Sequence, residues 1–113
     1  MKKTLIAGAL ALVSTQVFSA SVSTTTTVNT LYTYGEGSSR HNDIVIKVDS
    51  PLTGCEAGFW VKSTDNIGNK NVSAFLLSAF HAGSKMYIAA YNDQLWSGSD
   101  GNYCKVHSIG LVK

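Results

Sequence analysis

The chain has only two cysteines, Cys55 and Cys104, and one proline, Pro51. Neither cysteine belongs to a CxxC pair, and no histidine stands near either one in a ligand pattern. A thiolate metal knot and a CxxC redox centre are therefore not expected. The three histidines, His41, His81 and His107, are far apart and form neither HxH nor HExxH. A GxSxG nucleophile elbow is missing. The seven acidic residues are scattered, with no pair recognisable for acid–base work. The expectation is a protein that is not an enzyme and carries no metal or cofactor.

Net charge is also in short supply. Nine Lys and Arg stand against seven Asp and Glu, and two of the nine are Lys2 and Lys3. These two open a three-part pattern. A cationic start is followed by the apolar run LIAGALALV, Leu5 to Val13, and then by polar and small residues to Ala20. That is the layout of a secretory signal peptide, with Val17 and Ser19 at the small-residue positions before the cut. The apolar run is shorter than the roughly 20 residues a spanning helix needs. The reading is a signal peptide over 1–19 and one domain over 20–113, exported to the periplasm or beyond. Without the leader, basic and acidic residues balance. No electrostatic footprint remains for nucleic acid or for anionic lipid, so neither nucleic-acid binding nor membrane insertion is expected.

A mature chain of about 93 residues forms one small core and often needs a covalent staple or partner subunits. In an oxidising compartment Cys55 and Cys104 read as one disulfide. It closes a loop of about 50 residues, worth about 4 kcal/mol in the chain-entropy model.

What the chain does have is strand pattern. SVSTTTTVNTLYTY, 21–34, is rich in β-branched and aromatic residues, with Val28, Tyr32 and Tyr34 on one face and Leu31 on the other. A loop over 35–42 follows. DIVIKV, 43–48, alternates, with Ile44, Ile46 and Val48 one way and Asp43, Val45 and Lys47 the other. After the Pro51 turn comes a third strand over 55–63, then a loop over 64–70. NVSAFLLSAFHA, 71–82, predicts the only helix, with Asn71 as its cap and Gly83 as its stop. Val72, Phe75, Leu76, Ala79 and Phe80 form its apolar stripe. The opposite face, Ala74, Leu77, Ser78 and His81, carries no acidic residue, lysine or arginine. Either another subunit covers it or it tolerates water. Asn71-Val72-Ser73 matches a glycosylation sequon but reads as a cap. A fourth strand is expected over 85–91, a long polar turn over 92–102 and a fifth strand over 103–112, bulged near 108–110. The fold class that follows is all-β with one helix, a five-stranded OB-like Greek-key barrel in the order β-β-β-α-β-β.

The surface chemistry this leaves is aromatic and polar but uncharged. Tyr87 and Tyr91 face away from the core side of their strand, and Trp96 sits in a turn beside Asn92, Asp93 and Gln94. Sugars bind to such surfaces: their C–H faces stack on aromatic rings and their hydroxyls need fixed polar partners. Tyr and Trp serve equally well in packing and at protein interfaces. Trp96 therefore stands open between ligand contact and packing.

The stretch NVSAFLLSAFHAGSKMYIAAYNDQLW, 71–96, resembles the helix and following strand of B subunits of the subtilase cytotoxin type, relatives of pertussis-like toxin B subunits. DIVIKV after a glycine- and serine-containing loop, with a cysteine near the third strand, fits the same layout. The resemblance implies an OB-fold subunit assembled as a homopentamer that recognises glycans on host surfaces. Any toxicity would come from a separately encoded A subunit. The implied sugar site takes in Ser39 to Asp43 and the end of the fourth strand at Tyr91; the family's serine near Asn42 is replaced here by asparagine. Together with the residue reading, the expected glycan contacts are Ser39, Asn42, Asp43, Tyr91, Asp93 and Trp96. The other reading is a periplasmic or secreted non-enzymatic protein that uses its aromatic turn against a protein partner.

Overall fold

Thirteen residues rich in serine, threonine and valine make the first strand, β1, Ser21–Thr33. It is long enough to serve two partners. In the computed structural model, which describes residues 20–62 and 66–113, the first half of β1 pairs with β4, Lys85–Leu95, and the second half with β2, Ile44–Val48. Strand β3, Gly58–Val61, continues from β2, and β5, Tyr103–Leu111, lies parallel to β3 and antiparallel to β4. The order β1-β2-β3-β5-β4 closes into a barrel. This is the expected all-β, one-helix, OB-like architecture. The proposed leader, 1–19, lies outside the described residues.

A register shift between Val28 and Thr30 bends β1 where it changes partner. An extra residue in a strand reverses the faces beyond it. Val28 and Leu31 therefore both pack on the core, while Tyr32 and Tyr34 lie outside. Simple alternation, which put Val28 with the tyrosines, fails at this bulge. Asp49 fastens the bend. Its carboxylate accepts from the Thr27 hydroxyl and from Asn29 Nδ2, and its N–H donates to the Thr27 carbonyl.

The helix, α1, spans Ile67–Ala82, four residues longer at its start than the apolar pattern predicts. Asn66 is the cap, its side chain accepting from Asn69 N at 2.8 Å, so Asn71 and the sequon lie inside the helix. The first turn, Ile67-Gly68-Asn69-Lys70, has no apolar periodicity and is held by the cap instead. The stripe is also narrower than expected. Leu76 and Ala79 are buried in the barrel mouth, with Val72 half-buried beside them, while Phe75 and Phe80 are largely exposed. Gly83 terminates the helix as predicted.

The barrel core is Ile46, Phe59, Val61, Met86, Ile88 and Ala90 with Leu76 and Ala79 from the helix. Cys55 and Cys104 are wholly buried in it and joined as a disulfide. Cys55 precedes β3 rather than opening it, in a turn bridged to Leu52. Gly58 starts β3 at φ +138°, and a Cβ there would stand 2.0 Å from the Ile46 carbonyl oxygen, so only glycine lets β3 come this close to β2.

Strand β4 continues to Leu95, through residues that composition assigns to a turn. Asn92 N–H donates to the Ala20 carbonyl, and Leu95 pairs with Cys104. Backbone pairing outweighs polar composition here. The β5 bulge skips His107, one residue before the expected 108–110, since Ala89 pairs with Ser108 and Ala90 with Val106.

Candidate functional site

Val45 faces outward from β2 and yet is buried. It is the floor of a second apolar cluster, outside the barrel, formed with Trp96 and Tyr103 and joined by Tyr34, Ala57 and Trp60. Register explains its members: Val45 pairs with Trp60 and with Tyr32, placing outward-facing side chains of three strands in one row. The segment after β4 folds back over that row. Trp96 N–H donates to the Tyr103 carbonyl, and the indole packs on Tyr34 at 5.7 Å and edge-on to Tyr103 at 5.6 Å between ring centroids. Trp96 is only 5% exposed. Little of its ring surface is left open for stacking.

The polar end of the indole reaches across the chain. Trp96 Nε1 donates to Asp43 Oδ2 at 3.0 Å, both residues being buried. Trp60 Nε1 donates to the Gln94 carbonyl at 3.0 Å, so the two tryptophans anchor the same returning segment from both ends. Arg40 completes the connection: its Nη2 donates to the Ser97 carbonyl at 3.1 Å.

The 35–42 loop is built to present these groups. Ser38 N–H donates to the Gly35 carbonyl, His41 N–H to the Ser38 carbonyl, and Asp43 N–H to the Arg40 carbonyl. Asn42 takes a left-handed conformation, φ 70°, which asparagine tolerates, and its N–H closes the loop onto the Tyr34 carbonyl.

Between this loop and the Trp96 segment lies a cleft of about 270 Å³, lined by Ser39, Arg40, His41, Asp43, Trp60, Lys62, Trp96 and Ser97. It gathers two hydroxyls, three nitrogen-bearing basic side chains and one carboxylate. Arg40 Nε is buried there with no hydrogen-bond partner among the described residues. Such a donor is costly unless a ligand or solvent satisfies it. On another side of Trp96 is a second hollow of about 340 Å³, lined by Thr30, Tyr32, Tyr34, Val45, Lys47, Trp96 and Tyr103. Burial first, and then the adjacent Tyr32 phenol, to which it is hydrogen-bonded, push the Tyr34 hydroxyl up.

Of the six expected glycan contacts, the structure brings Ser39, Asp43 and Trp96 together in the cleft. Asn42 lines a separate hollow with Ile44, Lys62 and Asn69. Tyr91 lies elsewhere on the outer wall, its ring edge-on to His107 at 5.2 Å. Asp93 is exposed on the extension of β4 and lines none of these hollows. Trp60, Lys62 and Ser97 were not singled out in the sequence, and Arg40 only as part of the Ser39 to Asp43 stretch. Trp60 is a visible aromatic in a short apolar strand, but its pairing with Val45 emerges only from the sheet register. Arg40 and Lys62 carried no signal of their own, since single basic residues in loops or at strand ends are ordinary.

Among the described residues no cluster of His, Cys, Asp or Glu could hold a metal ion, and no helix is long and apolar enough to cross a membrane. The chain matches no protein-family model, no curated protein and no solved structure.

Proposed function

We propose that this protein is an exported, disulfide-stapled lectin subunit that binds glycans in the cleft between Ser39–Asp43 and Trp96. The observation that carries the reading is the Trp96–Asp43 hydrogen bond, which fixes a carboxylate in a cleft that also offers Ser39, Arg40, Lys62 and the otherwise unsatisfied Arg40 Nε. Saccharides need such a set of fixed donors and acceptors at close spacing. Pre-ordering of the loop by its own hydrogen bonds lowers the entropy lost on binding. The buried disulfide and the leader-like N-terminal pattern favour an exported protein.

The resemblance to B subunits of the subtilase cytotoxin type adds a homopentamer docking on host-surface sugars, with a separately encoded A subunit as a further partner. The uncharged helix face is its support here. Ala74, Leu77, Ser78 and His81 form an open hollow, and Leu77 is 60% exposed. A solvent-facing helix normally carries charge at such positions.

A glycan array probed with the disulfide-intact mature chain tests the binding claim. Several hits that fall at least tenfold in Arg40→Gln support it; a blank array with folded protein sinks it. Light scattering at micromolar concentration tests assembly. A closed oligomer that Leu77→Glu dissociates is expected, and a strict monomer rejects the ring.

A further inference from the structure

We propose that the aromatic hollow beside Trp96 is a second subsite, which takes the apolar face of a neutral pyranose belonging to the same saccharide that the polar cleft holds. The inference rests on the glycan reading above and extends it to ligand class: an oligosaccharide with one polar or acidic unit and an adjacent neutral one.

The two hollows share a wall. Trp96 lines both, so one indole separates Asp43, Arg40 and Ser39 from Tyr32, Tyr34 and Lys47. Their chemistry differs. The first is hydroxyl- and charge-rich; the second is walled mainly by aromatic rings and Val45, with polar groups at its edge. Each is at or near the low end of ligand-pocket sizes, about 300 Å³, which suits one ring apiece rather than a whole oligosaccharide in either.

Tyr32 is the group that points to a sugar. It is 52% exposed, yet its ring is not loose: Tyr34 meets it edge-on, with centroids 5.0 Å apart and planes at 71°. Tyr34 is in turn packed on Trp96. A chain of three rings thus holds one exposed aromatic surface in a set orientation, and such preorganisation is what stacking against a rigid pyranose requires. The rim supplies partners for the sugar's hydroxyls. The Lys47 ammonium donates, and the Tyr34 hydroxyl, already hydrogen-bonded to the Tyr32 phenol, stands beside it. The Thr30 hydroxyl, already donating to Asn29 Oδ1 at 2.8 Å, is left to accept. A purely aliphatic occupant would need none of these three polar groups.

Two-dimensional amide NMR on the disulfide-intact mature chain, titrated with methyl β-galactopyranoside and methyl β-glucopyranoside as neutral probes, tests the inference. Shifts are expected at Thr30 to Tyr34, Val45 and Lys47 and not at Ser39 to His41. Tyr32→Ala, at an exposed position that spares the core, should weaken the probe roughly three- to tenfold, and Tyr32→Phe should restore it, because stacking needs the ring and not the hydroxyl. Oligosaccharides captured on the array should lose a similar factor in Tyr32→Ala. If array binding depends on Arg40 but is indifferent to Tyr32, and the neutral probes leave 30–34 unmoved, the second subsite is wrong and the first stands. If the probes move 30–34 but no oligosaccharide binding depends on Arg40, the aromatic hollow is an independent site and the shared two-unit cleft is wrong. If neither occurs, both readings fail.

Discussion

Trp96 and Asp43 stand 53 residues apart and are joined by a buried hydrogen bond of 3.0 Å from the indole N–H to the carboxylate. The bond ties the segment after β4 to the loop before β2 and holds the cleft in shape. Replacing Trp96 by Phe keeps most of the packing but removes the donor, at an expected cost of about 1–3 kcal/mol. Trp96→Ala also removes the packing on Tyr34 and Tyr103 and should cost about 3–5 kcal/mol. Urea unfolding of the three proteins measures both steps. Equal stability of Trp96→Phe and wild type would show that the bond contributes nothing.

Gly98 lies against the same indole. A Cβ built there stands 2.3 Å from Trp96 Cζ2, so the ring, packed on Tyr34 and Tyr103, must shift. Gly98→Ala is expected to displace the ring and destabilise the chain by about 1–3 kcal/mol. The near-ultraviolet circular dichroism should change while the far-ultraviolet spectrum does not.

Cys55 and Cys104 close a loop of 49 residues' separation inside the core. Replacing both by serine is expected to lower stability by about 4 kcal/mol in the chain-entropy account, further reduced by two polar atoms in an apolar site. Denaturant unfolding of the double variant beside the reduced wild type separates the two contributions.

Two carboxylates give stability a pH dependence. Asp49 is held below the usual carboxylate range by the Thr27 hydroxyl and then by the Asn29 amide. Glu56 is lowered first by the Gly54 backbone N–H, next by its own, and then by Asn102. A depressed folded value means that the unfolded chain takes up protons first as pH falls. The contribution is complete above the ordinary carboxylate value of about 4 and disappears as pH drops through the lower folded values. Thermal midpoints should hold from neutral pH to about 5 and then decline, and Asp49→Asn should flatten part of that decline. An unchanged slope in the variant would remove Asp49 from the account.

The strands and their order were legible because their side chains alternate. Ile44, Ile46 and Val48 face the core as the pattern requires. Three features were not. The β1 bulge reverses the faces beyond Asn29, and nothing in SVSTTTTVNTLYT marks which residue is extra. The helix start is set by an Asn66 side chain and not by apolar spacing. The outer cluster needs the register of three strands, so Val45 looks like one more outward residue until Trp60 and Trp96 are placed over it. The cleft follows the same rule. Ser39, Asp43 and Trp96 could be singled out one by one, but Arg40 and Lys62 become partners only through the folded geometry.

Because the first half of β1 pairs with β4, the barrel joins residue 21 to residue 91. The N-terminal strand is delivered long before its partner, and Cys104 later still. The chain therefore emerges with an unpaired threonine-rich edge and one unmatched thiol. Sheet closure and cross-linking both await the arrival of β5. A truncation that removes β5 would leave β3 and β4 unpaired on one side and Cys55 without its partner, exposing two strand edges and a reactive sulfur on the same molecule.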